Sequence, residues 1–199
     1  MTVSDSKSLP CVGFLTVREF QELGLIGGYL VLNTVGRPLE FHCTAPVRPN
    51  RAQEILYGPT LAPFLYGEQI GQALVNKSRT KPLFVCTDVV PVLSLRDHVK
   101  FPVLLLAEPA ADEASEPEPQ TGSQFRVDRP HQSQPPAPKA PQLRHFKLDE
   151  QSAAVAVQHL ADQELVRQRW QPHSGNLSLH EPFVRLSEAI DEAQGGANR

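Results

Sequence analysis

Cys11, Cys43, Cys86 and His42 are the residues of this 199-residue chain whose types suit a metal site or a thiolate nucleophile. Their spacing argues against both. Zinc ligands arrive in close pairs such as CxxC or HxxxH, and the chain has neither pattern around these residues. On a strand, His42 points away from the face that carries Cys43, so the pair cannot share a proton as a base and nucleophile must. Buried small hydrophobes describe the three thiols better, and an odd, sparse set argues against a disulfide framework. His131, His145, His159 and His173 recur at equal spacing, but two lie in or beside a proline-rich stretch and one on a helical segment, so no common site follows. Gly24-Leu-Ile-Gly-Gly28 is too short for a dinucleotide fingerprint, and no GxxxxGK[ST] phosphate loop is present. What remains is carboxylates and cations. Asp88 closes an apolar run, and Glu54 follows a helix start. Lys77, Arg79 and Lys81 crowd one short stretch, with Arg48 and Arg51 near the other end of the same helical unit. Such cations make a modest phosphate-binding surface or a solvated loop between helix and strand.

The elements that would position these groups are legible as changes of period. Val12–Val17 is a short apolar run and reads as a strand; Tyr29–Asn33 follows the Gly27-Gly28 pair as another. Thr34-Val35-Gly36 turns the chain into Arg37–Thr44, where Leu39, Phe41 and Cys43 alternate with Glu40, His42 and Thr44. That alternation predicts a half-buried hairpin arm with the apolar set inward. A helical period begins at Asn50, an N-cap with Gln53 three residues on, as in a capping box. Gly58-Pro59 must end or kink it. Thr60 caps a second piece reaching about Asn76, with Leu61, Phe64, Leu65 and Val75 as its inner face. Leu83–Asp88 and Pro102–Ala107 read as buried strands, with a helical turn or two across Leu93–Val99. The order β-β-β-α-β-(α)-β predicts an α/β chain with an α+β-like order and a layered sandwich.

Proline sets the boundaries. Eight of the 19 prolines fall in the 37 residues from 108 to 144, a stretch with almost no aliphatic side chains. It cannot bury enough apolar surface to offset its ordering entropy and reads as a disordered linker. The division is therefore a disordered N-terminus 1–9, a folded domain 10–107, the linker 108–144, and a helical tail 145–199. In the tail, Asp149–Trp170 and the segment after Pro182 carry helical spacing, with Asp149 as a cap and Gly195-Gly196 as a stop. Lys+Arg number 19 against 22 Asp+Glu, a net charge of −3, which argues against a polybasic nucleic-acid or membrane binder. MTVSDSKSLP has no apolar h-region and no run is long enough to span a bilayer, so a cytoplasmic, soluble protein is expected.

Three strands, a helix and a strand is where the chain resembles the ribonuclease H-like fold. Phe14-Leu-Thr-Val17 followed by Gly27-Gly28-Tyr29 is similar to that family's first strand and the Gly-Gly-Tyr entry of its second. Gly36-Arg37 with Phe41 resembles its turn and third strand, Pro49–Glu54 the start of its first helix, and Val85-Cys-Thr-Asp88 the end of its fourth strand. The resemblance covers residues 12–90 and implies that Gly24, Gly27 and Gly28 are turn residues. It also implies two-metal cleavage of the RNA strand of hybrids by a carboxylate cluster holding magnesium or manganese, since hard divalent cations need several anionic oxygens.

Carried over residue by residue, the first-strand aspartate falls on Val17, the helix glutamate on Gln53 or, shifted by one, on Glu54, and the fourth-strand aspartate on Asp88. The last has no counterpart beyond Asp97 or Glu108. Val17 cannot ligate a metal, so the expectation is a ribonuclease H-like module without catalysis and without a cofactor. Nucleic acid through Lys77, Arg79, Lys81, Arg48 and Arg51, or a protein partner, is its expected target. Asp88 equally suits a strand end that accepts hydrogen bonds from the next turn. The rival is a protein-interaction adaptor acting through the C-terminal amphipathic helices; a metal-dependent nuclease using Asp88 and Glu54 is the third possibility. The block Gly27–Gly58 is also similar to uncharacterised bacterial conserved proteins.

Overall fold

The computed structural model describes residues 10–106 and 141–197, so the N-terminal segment and linker positions 108–140, with Glu108 and His131, lie outside the described residues. The chain opens as an antiparallel meander: β1 (Cys11–Phe20), β2 (Gly24–Asn33) and β3 (Pro38–Cys43). The apolar runs supply the strands and local chemistry supplies the turns. Gly24 takes φ +97° at the first turn, a conformation that only glycine adopts without strain. At the second, the Asn33 side chain accepts hydrogen bonds from the Val35 and Arg37 N–H groups. Helix α1 (Arg51–Tyr57) starts on the expected capping box: Asn50 Oδ1 accepts from the Gln53 N–H at 2.9 Å, and Gln53 Oε1 from the Asn50 N–H at 3.0 Å. Gly58 ends it with a positive φ. After a 3₁₀ turn (Gly58–Thr60), α2 (Leu61–Pro63), a π-helical stretch (Phe64–Gln72) and α3 (Ala73–Lys77) form one helical run, 61–77. Thr60 caps nothing there; its hydroxyl donates to the Tyr57 carbonyl. β4 (Val85–Thr87), a 3₁₀ segment (Val90–His98) and β5 (Val103–Leu106) follow.

Beyond residue 140 the structure departs from the helical-tail expectation. β6 (Leu143–Leu148) and β7 (Gln151–Ala156) form a hairpin before α4 (Ala161–Trp170) and α5 (Glu181–Ala197). Asp149 is not a helix cap. It sits in the hairpin turn at φ +54° and accepts the Trp170 Nε1–H at 2.6 Å and the Ser174 hydroxyl. α5 also runs through Gly195-Gly196 rather than stopping at it. The hairpin forms because β5 offers a free edge, and β7 pairs with it antiparallel through Leu105–Ala154 and Leu106–Ala153.

The result is one seven-stranded mixed sheet in the order β3-β2-β1-β4-β5-β7-β6, with β4 parallel to both β1 and β5. Alternate side chains divide the core in two. Val12, Phe14, Ile26, Leu30 and Leu32 meet Trp170, Phe183, Leu186 and Ile190 of α4 and α5 on one face. Leu15, Val17, Leu25, Tyr29 and Val31 meet Leu65, Ile70 and Leu74 of the helical run and Val92, Leu93 and Leu95 of the 3₁₀ segment on the other. Gly27 and Gly28 are not turn residues but neighbours inside β2. A Cβ on Gly27 would overlap Ile70 Cγ2, and one on Gly28 would lie 2.6 Å from Ile190 Cδ1, so each glycine lets a helix approach one face. Of the expected inner face of the run, Leu65 is buried together with Ile70 and Leu74, while Leu61, Phe64 and Val75 pack partly buried against the same core.

Candidate functional site at the strand ends

In sheets of this kind ligands bind outside the carboxyl ends of parallel strands, where the chain order reverses. Here the reversal lies between β1 and β4: from β1 the chain proceeds toward β3, and from β4 toward β5. At their carboxyl ends a cavity of about 470 Å³ is lined by Arg18 of β1, Asp88 just after β4, and His180, Ser187, Glu188 and Asp191 beside or on α5. The Arg18 guanidinium donates to Asp191 Oδ2 at 2.7 Å and leans on the Phe20 ring. A cation of the protein itself therefore occupies the carboxylate side of the crevice.

The residues drawn from the resemblance do not converge here. Val17 is buried in the opposite face of the sheet, against the helical run. Glu54 lines a separate groove on that same opposite side, with Leu61, Leu65 and Tyr66, and bonds to Arg51. The carboxylates that share the crevice with Asp88 are therefore Glu188 and Asp191 of α5, not side chains of β1 or α1. Among the described residues no three His, Cys, Asp or Glu side chains converge as a metal site. Asp97, near the end of the 3₁₀ segment, bonds instead to His159 at 2.8 Å.

The cations also separate. The Cys11 thiol, at the start of β1, donates to the Lys81 carbonyl, while Arg48 Nε donates to the Leu23 carbonyl at the β1–β2 turn. A strand of ten residues stands between them, about 30 Å. Lys77, Arg79 and Lys81 form one patch and Arg48 with Arg51 another. The first is tied to the sheet through Glu40. Glu40 of β3 accepts from the Arg79 N–H at 3.1 Å, from the Thr80 hydroxyl and from His42 at 2.9 Å, clasping the loop to the sheet. Burial works against the Glu40 charge, but bonds from Thr80, His42, the Arg79 N–H and Ser78 outweigh it and hold the carboxyl at about 2. The loop backbone is fixed, and its three cationic side chains are exposed with no carboxylate in ion-pair reach among the described residues.

This clasp overturns the expected faces of β3 at Leu39 and Phe41, and of the three apolar residues expected inward only Cys43 packs against the core. Glu40 and His42 are the more buried pair, and Leu39 and Phe41 remain 45% and 41% exposed. Burial, then the nearby Glu40 charge, pushes the Cys11 thiol up to about 11, and burial alone drives Cys86 up further, so neither of these two buried thiols is a ready nucleophile. Cys43 stands on the edge strand and Cys86 on an internal one, so they share no site. His145 on β6, His159 beside Asp97 and His173 beside Trp170 are likewise scattered.

No protein-family model matches this chain, and no curated protein resembles it in sequence. Among the described residues no helix is long and apolar enough to cross a membrane. Arg18, Glu188, Asp191 and His180 escaped the sequence reading. The one signal was Arg18 itself, a cation closing an otherwise apolar strand.

Proposed function

We propose that this chain is a ribonuclease H-like module that binds nucleic acid without cleaving it, using the clasped loop that carries Lys77, Arg79 and Lys81. The observation that carries the loss of catalysis is the Arg18–Asp191 ion pair beside Asp88 at the carboxyl ends of β1 and β4. A guanidinium there supplies the positive charge that bound metal would supply, without an open coordination site. The antiparallel meander, the helical run and a β4 laid parallel against β1 support the fold reading. The crevice carries three carboxylates and repels phosphate, so the nucleic-acid backbone belongs at the loop.

The test is fluorescence anisotropy of the full chain with labelled single-stranded RNA, single-stranded DNA and an RNA·DNA hybrid, with magnesium and at several salt concentrations. Three phosphate contacts give a slope of log K against log salt of about −2 on single strands. Changing Lys77, Arg79 and Lys81 to Glu abolishes binding, and the strands stay intact. Absence of binding at low salt sinks the reading, and cleavage lost on Asp88→Asn sinks its non-catalytic half.

One observation favours a protein partner instead. Helix α1 buries no residue, and Ile55 and Leu56 stand 66% and 82% exposed on it. The C-terminal helices are no such candidate, since Trp170, Phe183, Leu186 and Ile190 are spent on the sheet.

A further inference from the structure

A sheet edge is a row of unpaired backbone groups, and folded proteins blunt it or use it. The β6 edge of this sheet is blunted: Arg144, His145 and Lys147 are all exposed along it. The β3 edge is not. Between Glu40 and Cys43 it carries no lysine or arginine, and Leu39 and Phe41 stay exposed on the α5 side.

The ladder tells which backbone groups face out. Thr44 donates its N–H to the Gly27 carbonyl. Hydrogen-bonded pairs alternate along an antiparallel ladder, so His42 and Glu40 also turn their backbones toward β2. Phe41 and Cys43 turn theirs outward. A strand with those free groups can pair with a copy of itself in few registers. Centring on Glu40 or His42 sets like side chains across the axis, Glu40 against Glu40 or His42 against His42. Centring on Phe41 sets Phe41 against Phe41, Leu39 against Cys43 and Glu40 against His42. That register puts apolar groups together on one face and a carboxylate opposite an imidazole, acceptor against hydrogen-bonding ring, on the other. Its backbone partners are the outward groups.

We propose that β3 pairs antiparallel with β3 of a second copy of this chain, across a two-fold axis at Phe41, to form a continuous fourteen-stranded sheet. A two-fold axis perpendicular to the sheet keeps equivalent faces together. The clasped loops of both copies therefore lie on one face, flanking the seam through Glu40. The pairing does not depend on what that loop binds.

Sedimentation of the full chain over a concentration series reads the association directly, with an expected mass of twice 22.0 kDa at the upper end. Phe41→Lys sets two ammonium groups across the axis and returns the chain to monomer, while its circular dichroism stays that of the parent. Leu39→Cys reads the register. Mild oxidation joins the new thiol to Cys43 of the other copy, giving a covalent dimer on a non-reducing gel that Cys43→Ser removes. A monomer at every concentration up to about 1 mM, where even weak specific contacts associate, overturns the proposal. So does a dimer that Phe41→Lys leaves intact, or one in which Leu39→Cys never cross-links.

Discussion

Replacing Glu40 by Gln removes one charge and leaves the side-chain shape, so it isolates what the carboxylate does for the loop that carries Lys77, Arg79 and Lys81. The Glu40 carboxyl stands at about 2 in the folded chain against an ordinary 4.5. At 1.36 kcal/mol per pH unit that displacement corresponds to about 3 kcal/mol. Solvent still reaches a side chain that is 17% exposed, so we expect about 2 kcal/mol. The figure agrees with the 1.5–3 kcal/mol typical of a hydrogen bond to a charged group. Because the folded value is depressed, the contribution is fully present above pH 4.5 and is lost as pH falls from 4.5 through 2. Urea unfolding of parent and Glu40→Gln across that range is the assay. With a denaturant slope of about 2 kcal/mol per molar, the midpoints at pH 7 should differ by about 1 M. The gap should narrow as the parent carboxylate is protonated. A gap of the same size at pH 7 and pH 2, or none at pH 7, would refute the reasoning, because neither outcome is compatible with a charge-assisted clasp.

Two further substitutions test the packing that places the site. Gly27→Ala drives a methyl group into Ile70, and overpacking of this kind costs about 1–3 kcal/mol; thermal melts should show that Ile70→Ala in the same chain recovers part of the loss. Asp162, almost fully buried, accepts the Arg96 Nε–H at 2.5 Å on Oδ2 and the Nη2–H at 3.1 Å on Oδ1. Asp162→Ala strands that guanidinium and should cost about 3 kcal/mol in chemical denaturation, whereas the double change to Arg96→Met and Asp162→Leu should cost much less.

The parts of the fold legible in the sequence were those whose causes are local. The Asn50–Gln53 capping box spans four residues and forms as read, and the break at Gly58-Pro59 is a property of those two residues. β1, β4 and β5 announced themselves as apolar runs because both of their faces are covered. The β6–β7 hairpin was illegible for the opposite reason. Gln151–Ala156 contains three alanines, which favour helix, and they become a strand only because β5 offers an unpaired edge. The faces of β3 misled because alternation says which residues share a face, not which face is covered. Loop Ser78–Lys81 covers the Glu40–His42 face, while nothing among the described residues fully covers Phe41.

The same division holds for the site. Sequence alone determined that no close-paired zinc ligands, phosphate loop or nucleophilic cysteine–histidine pair was to be expected, and that Val17 could not hold a metal. Those conclusions follow from residue types and short spacings. Only the tertiary structure decided that Asp88 faces Arg18 and the acids of α5, that Glu54 lies across the sheet from it, and that Arg48 stands a full strand away from Lys81. A sheet carries consecutive residues to opposite faces and brings residues more than a hundred positions apart together, as Arg18 and Asp191 are. Distances of that kind are set by which strands pair, and strand pairing is decided by which edges and apolar faces remain uncovered once the rest of the chain has folded.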